Sequence, residues 1–403
     1  MKKSVFFDFL NRQAGPSFNS LLDEGEENVD YINWNDFLLP SCCGDAMEEY
    51  QAIRGDCALF DISPMRKIHV SGVAAGGLLD AILTRPVSSV APMQGVYVAF
   101  CDIDGMLKDD SILYKFSEEN YLLMPSDIDH SAHFDSTREQ LGIHECDVAI
   151  RECTDELSGL AFQGPHSATV LDVMGFDNVE LIKPFEVVEV PFAGSVIKLA
   201  RMGFTADLGY ECWFEPFMAH EFSTRIERVR RKLGKNIPGY GLNALEVCRL
   251  EGGFVVAGWD FATELDLDLS LKRSPFEVGL GWMVDLKSQN FIGKAALETK
   301  QKNGQNWVIR TIQAETNLDL VSGCELFTRI DDEKVSIGTV SCSTWSWGLE
   351  KLIGNASISS KYKELAEAIL VTNGVEYRVI LGRGPHLDLV RRCQVPAEIE
   401  KVL

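Results

Sequence analysis

The chain has 403 residues and a formal net charge of −22, with 46% hydrophobic and 24% charged residues. That length supports two or three domains with sizeable cores, and the balance is that of an ordinary soluble globular protein. So acidic a surface repels phosphate backbones and argues against nucleic acid as a partner; no run approaches the roughly 20 apolar residues of a membrane span.

The N-terminal stretch "MKKSVFFDFLNRQAG" is interrupted by Asp8, Asn11, Arg12 and Gln13 and is too polar for a signal peptide. The expected location is the cytoplasm. "DYINWNDFLLP" (30–40) is aromatic-rich, and residues 41–55 read as a helix that leads into the strand-like "CALFDIS". "RKIHVSG" (66–72) alternates as a strand, and 73–85 place Leu78, Leu79, Ile82 and Leu83 on one helical face. "GVYVAFCD" and "DSILYKF" read as strands joined by the turn "DIDGMLKD"; "NYLLMPS" is a third strand and "DHSAHFDSTREQL" a helix. A similar order follows: strand "LSGLAFQGP", helix "SATVLDVMG", strands "FEVVEVPFAG" and "SVIKLARMGF", then a long helix near 217–234. The predicted class is α+β, with two related units interleaved in residues 1–300 and a β-rich, barrel-like domain in 301–403.

The usual cofactor and metal patterns are missing. "GRGPHLD" and "GVAAGG" lack the Lys-Ser/Thr of a phosphate-binding loop, and neither HExxH nor GxSxG occurs. The eleven cysteines form no CxxC, and seven scattered histidines supply no zinc spacing. Reduced, buried thiols and no metal are the expectation.

Eight blocks in order resemble the glycine-cleavage T-protein family of tetrahydrofolate-dependent aminomethyltransferases and demethylases. They are "IRGDCALFDISPM" (53–65), "DGMLKDDSILY" (104–114), "AFQGP" (161–165), "GFTADLGYE" (203–211), "LEVCRLEGGF" (245–254), "SPFEVGLGWMV" (274–284), "FIGKAAL" (291–297) and "IGTVSCSTWS" (337–346). The resemblance implies three domains in a cloverleaf around a channel that holds folate. It also implies that Glu211 reads the pterin edge, whose amino group and ring N–H match the two oxygens of one carboxylate. Gly203 and Gly209 are expected to let the backbone approach the flat ring. Asp110 matches the catalytic acid, placed to stabilise charge on N5 of tetrahydrofolate and take its proton as one carbon is transferred. Asp109 is expected to turn away as a loop cap. Tyr114, on the same strand face as Asp110, and Tyr97 match pocket-lining aromatics. Met65, Phe204, Phe254 and Trp282 complete the expected cofactor-binding set.

Departures from the family pattern bear on the donor. Pro64, Met65 and Arg66 replace a His-Met-Gly, Phe204, Ala206 and Asp207 stand where Tyr, Gly and Glu are usual, and Leu245–Glu246 replace an Arg-Asp. These changes favour a demethylase or methyltransferase acting on a small N-, O- or S-methylated donor. The alternatives are aminomethyl transfer from a lipoylated carrier protein and folate binding without catalysis; the Asp109–Asp110 turn speaks for catalysis. A separate flavin-dependent chain stays open as a partner.

Overall fold

The computed structural model describes residues 1–11, 31–288, 290–318 and 321–394. The expected secondary structure appears with small shifts at the ends of elements. Its centre is a pair of five-stranded antiparallel sheets. The first has the order Gln94–Cys101, Leu107–Ser117, Asn120–Pro125, Ile68–Ser71, Ala149–Glu152. The second has the order Val187–Phe192, Ser195–Ala200, Gly209–Phe214, Ser158–Gln163, Ala58–Asp61.

The two sheets share one plan. Each has a three-strand meander, then the strand that precedes the meander in sequence, then an edge strand. The edges link the units. Ala58–Asp61 leads into the first sheet but pairs in the second; Ala149–Glu152 stays in the first and leads into the second. Alternation along a strand reveals its two faces but not its partner, so this arrangement emerges only from the pairing.

Period-two patterning then explains the layers. One face of each sheet contributes to a shared core: Tyr114, Leu122 and Met124 from the first, and Phe60, Ala161, Ala200 and Trp213 from the second. The opposite face of the first sheet is covered by helices Ala75–Ile82 and Ser131–Gln140. That of the second packs under Ser167–Val173 and Ala219–Leu233, whose Phe222, Ile226 and Val229 form a helical stripe. The long helix ends at Gly234 in a left-handed C-cap, where a side chain would be strained.

Strands between Trp307 and Gly382 close a six-stranded barrel in the order Trp307–Ala314, Lys351–Ser359, Glu333–Ser346, Glu325–Ile330, Glu367–Thr372, Val375–Gly382. Helix Leu242–Glu251 joins the barrel to the sheets through Leu250, packed on Cys342 and Ile353. None of the eleven cysteines is in a disulfide. No helix among the described residues is long and apolar enough to cross a membrane.

Candidate functional site

Asp110 lies on strand Leu107–Ser117. Its alternation puts Asp110, Ile112, Tyr114 and Phe116 on the face toward the second sheet. Ala99 is directly across from Asp110, and Tyr97 is across from Ile112, one diagonal step away. The Tyr97 hydroxyl donates a hydrogen bond to Asp110 Oδ2. Burial, then the neighbouring Asp109 charge, pushes the Asp110 carboxyl up to about 7, against the pull of Tyr97. At neutral pH such a group both takes and returns a proton. Trp282, exposed to solvent, lies 6.0 Å from Tyr97 between ring centroids.

Glu211 lies in the facing sheet, on Gly209–Phe214. Its direct neighbours across both ladders are Ala200 and Ala161. Between these small buried residues Glu211 is only 7% exposed, with the Tyr114 hydroxyl 3.4 Å from Oε2. Burial pushes Glu211 up to about 7, opposed first by the Tyr114 hydroxyl. The Trp213 indole nitrogen is buried without a hydrogen-bond partner. An acceptor-rich, donor-poor carboxylate fits a ligand edge that supplies N–H groups, and the pterin has such an edge. Tyr114 also brings its hydroxyl to 3.1 Å from Met202 Sδ, and Gly95 across the ladder accommodates its ring. Tyr114 follows Asp110 by four residues, a rise of about 13 Å along the strand. The two acids therefore stand at opposite ends of one row.

Local packing makes the row possible. Gly159 is directly across from Trp213, and a Cβ there would lie 2.4 Å from the indole. Lys67 is fully buried beneath the same ring, its Nζ 5.2 Å from the ring centroid and bonded to the Ser63 and Met65 carbonyls at 2.8 and 2.7 Å. Burial lowers Lys67 to about 7. Met65, half-buried, packs against the core shared by Tyr114 and Trp213.

Two expectations need correction. Gly203 and Gly209 do not open space for a ring: a Cβ at either would strike the Gln163 side chain at 2.0 and 2.2 Å. Gln163 fills that space, donating to the Met202 carbonyl at 3.1 Å and accepting from Thr205 Oγ1 at 2.8 Å. The glycines thus admit a side-chain brace for the loop ahead of Glu211. Asp109 does turn away, but not as an exposed loop cap. It is buried on the opposite strand face, bonded to His130 Nε2 at 2.8 Å and the Ser126 N–H at 3.1 Å. Phe204 stacks on Phe254 at 5.3 Å, with Phe204 exposed and Phe254 half-buried.

Sequence patterns passed over a second cluster. Asp207 accepts from Arg54 and Arg391, while Glu251 accepts from Arg54, Tyr50 and Ser346. Arg249 of "CRLE" is likewise structural, bonded to Glu246, Asp260 and the Phe254 carbonyl. Its charge spacing was visible in the sequence; its partners were not.

Known proteins are similar to this chain in sequence and fold. Residues 29–288 match the GCVT N-terminal domain. An aminomethyltransferase of Thermoanaerobacter pseudethanolicus is 29% identical over 370 residues, 92% of each chain. One of Caldanaerobacter subterraneus subsp. tengcongensis is 30% identical over 374 residues, 92% of this chain and 91% of the relative. The glycine cleavage system aminomethyltransferase T of Bartonella henselae shares the fold, with a TM-score of 0.79 at 19% identity over 96% of this chain and 98% of that one. The chain belongs to the glycine-cleavage T-protein (aminomethyltransferase) family of tetrahydrofolate-dependent one-carbon transferases.

Proposed function

We propose that the chain moves the one-carbon unit of an aminomethyl group carried on a lipoylated protein to N5 of tetrahydrofolate: the new C–N bond forms as the carbon–sulfur bond to the lipoyl thiol breaks, and ammonia leaves as the methylene bridge closes onto N10. The relatives supporting this donor are named aminomethyltransferase and align over nearly the whole chain. The observation that carries the chemistry is the pair of donor-poor acids on facing sheets, Asp110 and Glu211, each held near 7. Glu211, fixed between Ala161 and Ala200, orients the pterin by accepting its N–H groups. Asp110, held by Tyr97, faces the reacting amine. It stabilises positive charge as the new C–N bond forms and takes the proton that the amine loses. Tyr97 limits the rotation of the carboxyl, so little reorganisation is needed at the moment of transfer.

One observation favours a second reading, a small N-, O- or S-methylated donor. Leu245 stands where the family carries Arg, and it packs half-buried against the core that includes Tyr114 and Trp213. An apolar side chain there removes a fixed charge from the donor's surroundings. The two readings give different products. Protein and tetrahydrofolate are incubated anaerobically, with the aminomethyl-loaded carrier in one reaction and methylated amines, ethers and sulfonium compounds in the others. Methylene-tetrahydrofolate and ammonia with the carrier alone support the first reading. 5-Methyltetrahydrofolate from a small donor, with no product from the carrier, overturns it in favour of the second.

A further inference from the structure

Behind Asp110, on the covered face of the same strand, lies a polar cluster that the transfer step leaves unused. Asp109 is fully buried there. Its Oδ1 accepts the Asp110 backbone N–H at 2.8 Å; its Oδ2 accepts the Ser126 N–H at 3.1 Å and faces His130 Nε2 at 2.8 Å. A carboxylate at that distance calls for the proton on Nε2, so His130 donates. Phe100, directly across the ladder from Asp109, stacks on the imidazole at 4.3 Å with 16° between planes. The ring is therefore held in one orientation. Its other nitrogen, Nδ1, is buried without a hydrogen-bond partner. His133, one helical turn on, lies 6.5 Å away, ring to ring.

We propose that His130 is a positioning residue for Asp110: it pins the Asp109 carboxylate to the far face of the strand and offsets its charge, so that Asp110 alone faces the pocket. This rests on reading Asp110 as the transfer acid. Adjacent strand residues point to opposite faces, so the pair sits directly behind the reactive group. After burial, the Asp109 charge is the largest cause that raises Asp110. Whatever offsets that charge therefore acts on Asp110.

The other groups around the pair are few. Tyr97 faces Asp110 from the next strand. Asp127 feels Asp109, and Asp129 lies beside His130. His133 is held down to about 4 by burial, then by Lys108 and His130, with Glu264 opposing. It stays neutral across the working range and adds no charge beside the pair. With the donor removed, Asp109 keeps two backbone N–H bonds but loses the partner that faced its Oδ2. Its uncompensated charge then acts on Asp110.

The test reads Asp110 directly, by carboxyl carbon-13 NMR titration of protein labelled at aspartate Cγ. Its resonance is assigned by its loss in Asp110→Asn. His130→Phe keeps an aromatic on Phe100 and removes the donor; His130→Asn, whose amide stops short of Asp109, is a second donor-free variant. His130→Gln restores an N–H near the Nε2 position. The expected result is an Asp110 midpoint raised by about one pH unit in the donor-free variants, restored in His130→Gln, with no such shift in an Asp109→Asn background. An unchanged or lowered midpoint, or the same rise without Asp109, overturns the proposal. Because the readout is not turnover, it is separable from the role of Asp110: full turnover in Asp110→Asn removes that role whatever the titration shows.

Discussion

If Glu211 reads the pterin as proposed, binding comes at the expense of folding stability. Its ordinary value of 4.5 rises to about 7 on burial, so the folded protein holds a proton there that the unfolded chain releases. The stability tied to that proton is fully present below about 4.5 and lost as pH rises through 7. Above that pH the fold carries a buried charge with one weak donor. Glu211→Gln removes it. At pH 8 the ligand-free variant should be more stable than wild type by roughly 1–3 kcal/mol, as denaturant unfolding would show. Folate affinity should fall by about 2 kcal/mol or more, since one acceptor becomes a donor facing the pterin amine. A variant that is no more stable at pH 8 would place Glu211 in a wetter setting than the Ala161–Ala200 slot provides. Asp110 titrates in the same window, and Asp110→Asn should keep folate binding while losing most turnover.

Lys67 has the opposite sign. Its folded value of about 7 lies below the ordinary 10.5, so stability rises with pH between those limits as the unfolded chain alone keeps the proton. Lys67→Met lacks the buried charge, so its melting temperature should gain most on wild type at the acid end of pH 6 to 10, with the two curves drawing together toward the alkaline end. Parallel curves would mean that Lys67 titrates normally.

The relevant elements are strands whose neighbours are chosen for size. Gly159→Ala sets a methyl against Trp213, with Ile62 Cγ1 2.7 Å from the new carbon on its other side. Strand Ser158–Gln163 cannot yield without shifting Ala161, which flanks Glu211. The expected cost is about 1–3 kcal/mol of stability, with folate binding weakened as well; unfolding curves and calorimetry on one sample measure both. Ala206 makes a complementary case. It sits at φ +56 in the loop ahead of Glu211, where the family pattern has glycine. Ala206→Gly should relieve about 1 kcal/mol of left-handed strain.

At this scale the sequence showed its limits. That Asp110 and Tyr114 share one strand face followed from period-two geometry, whereas the roles of Asp110 and Glu211 are what the family blocks imply. Gln163 in the space beside Gly203 and Gly209 was not legible, because that contact joins strands about forty residues apart. His130 beneath Asp109 depends on how a helix start crosses the back of a sheet. The sequence marked both as polar residues near turns and left their partners open.

Across the whole molecule, a buried charge cluster joins the sheets, helix Leu242–Glu251 and the residues after the barrel. Asp207 and Glu251 have fully buried side chains, and Arg54 serves both. Arg391 reaches Asp207 from the far end of the described chain, and Arg201 meets the Arg392 carbonyl at 3.3 Å. Breaking one partner of such a cluster leaves charge stranded. Arg391→Met should cost about 1–3 kcal/mol, with Arg54 still holding Asp207; the expected signature is a lower melting temperature with folate affinity little changed. The exchange of edge strands that interlocks the two sheets lay beyond the sequence, since alternation along Ala58–Asp61 does not name the sheet it joins.

The central claim is that Glu211 and Asp110 divide binding and chemistry between them. Its most direct test is anaerobic calorimetric titration of tetrahydrofolate into wild type, Glu211→Gln and Asp110→Asn at pH 8, each checked for folding by its melting curve. The expected result is micromolar binding to wild type, near-equal binding to Asp110→Asn, and affinity at least about thirtyfold weaker for Glu211→Gln, the equivalent of about 2 kcal/mol. Equal binding by folded Glu211→Gln would contradict the account, because the pterin edge would then be read by some other group.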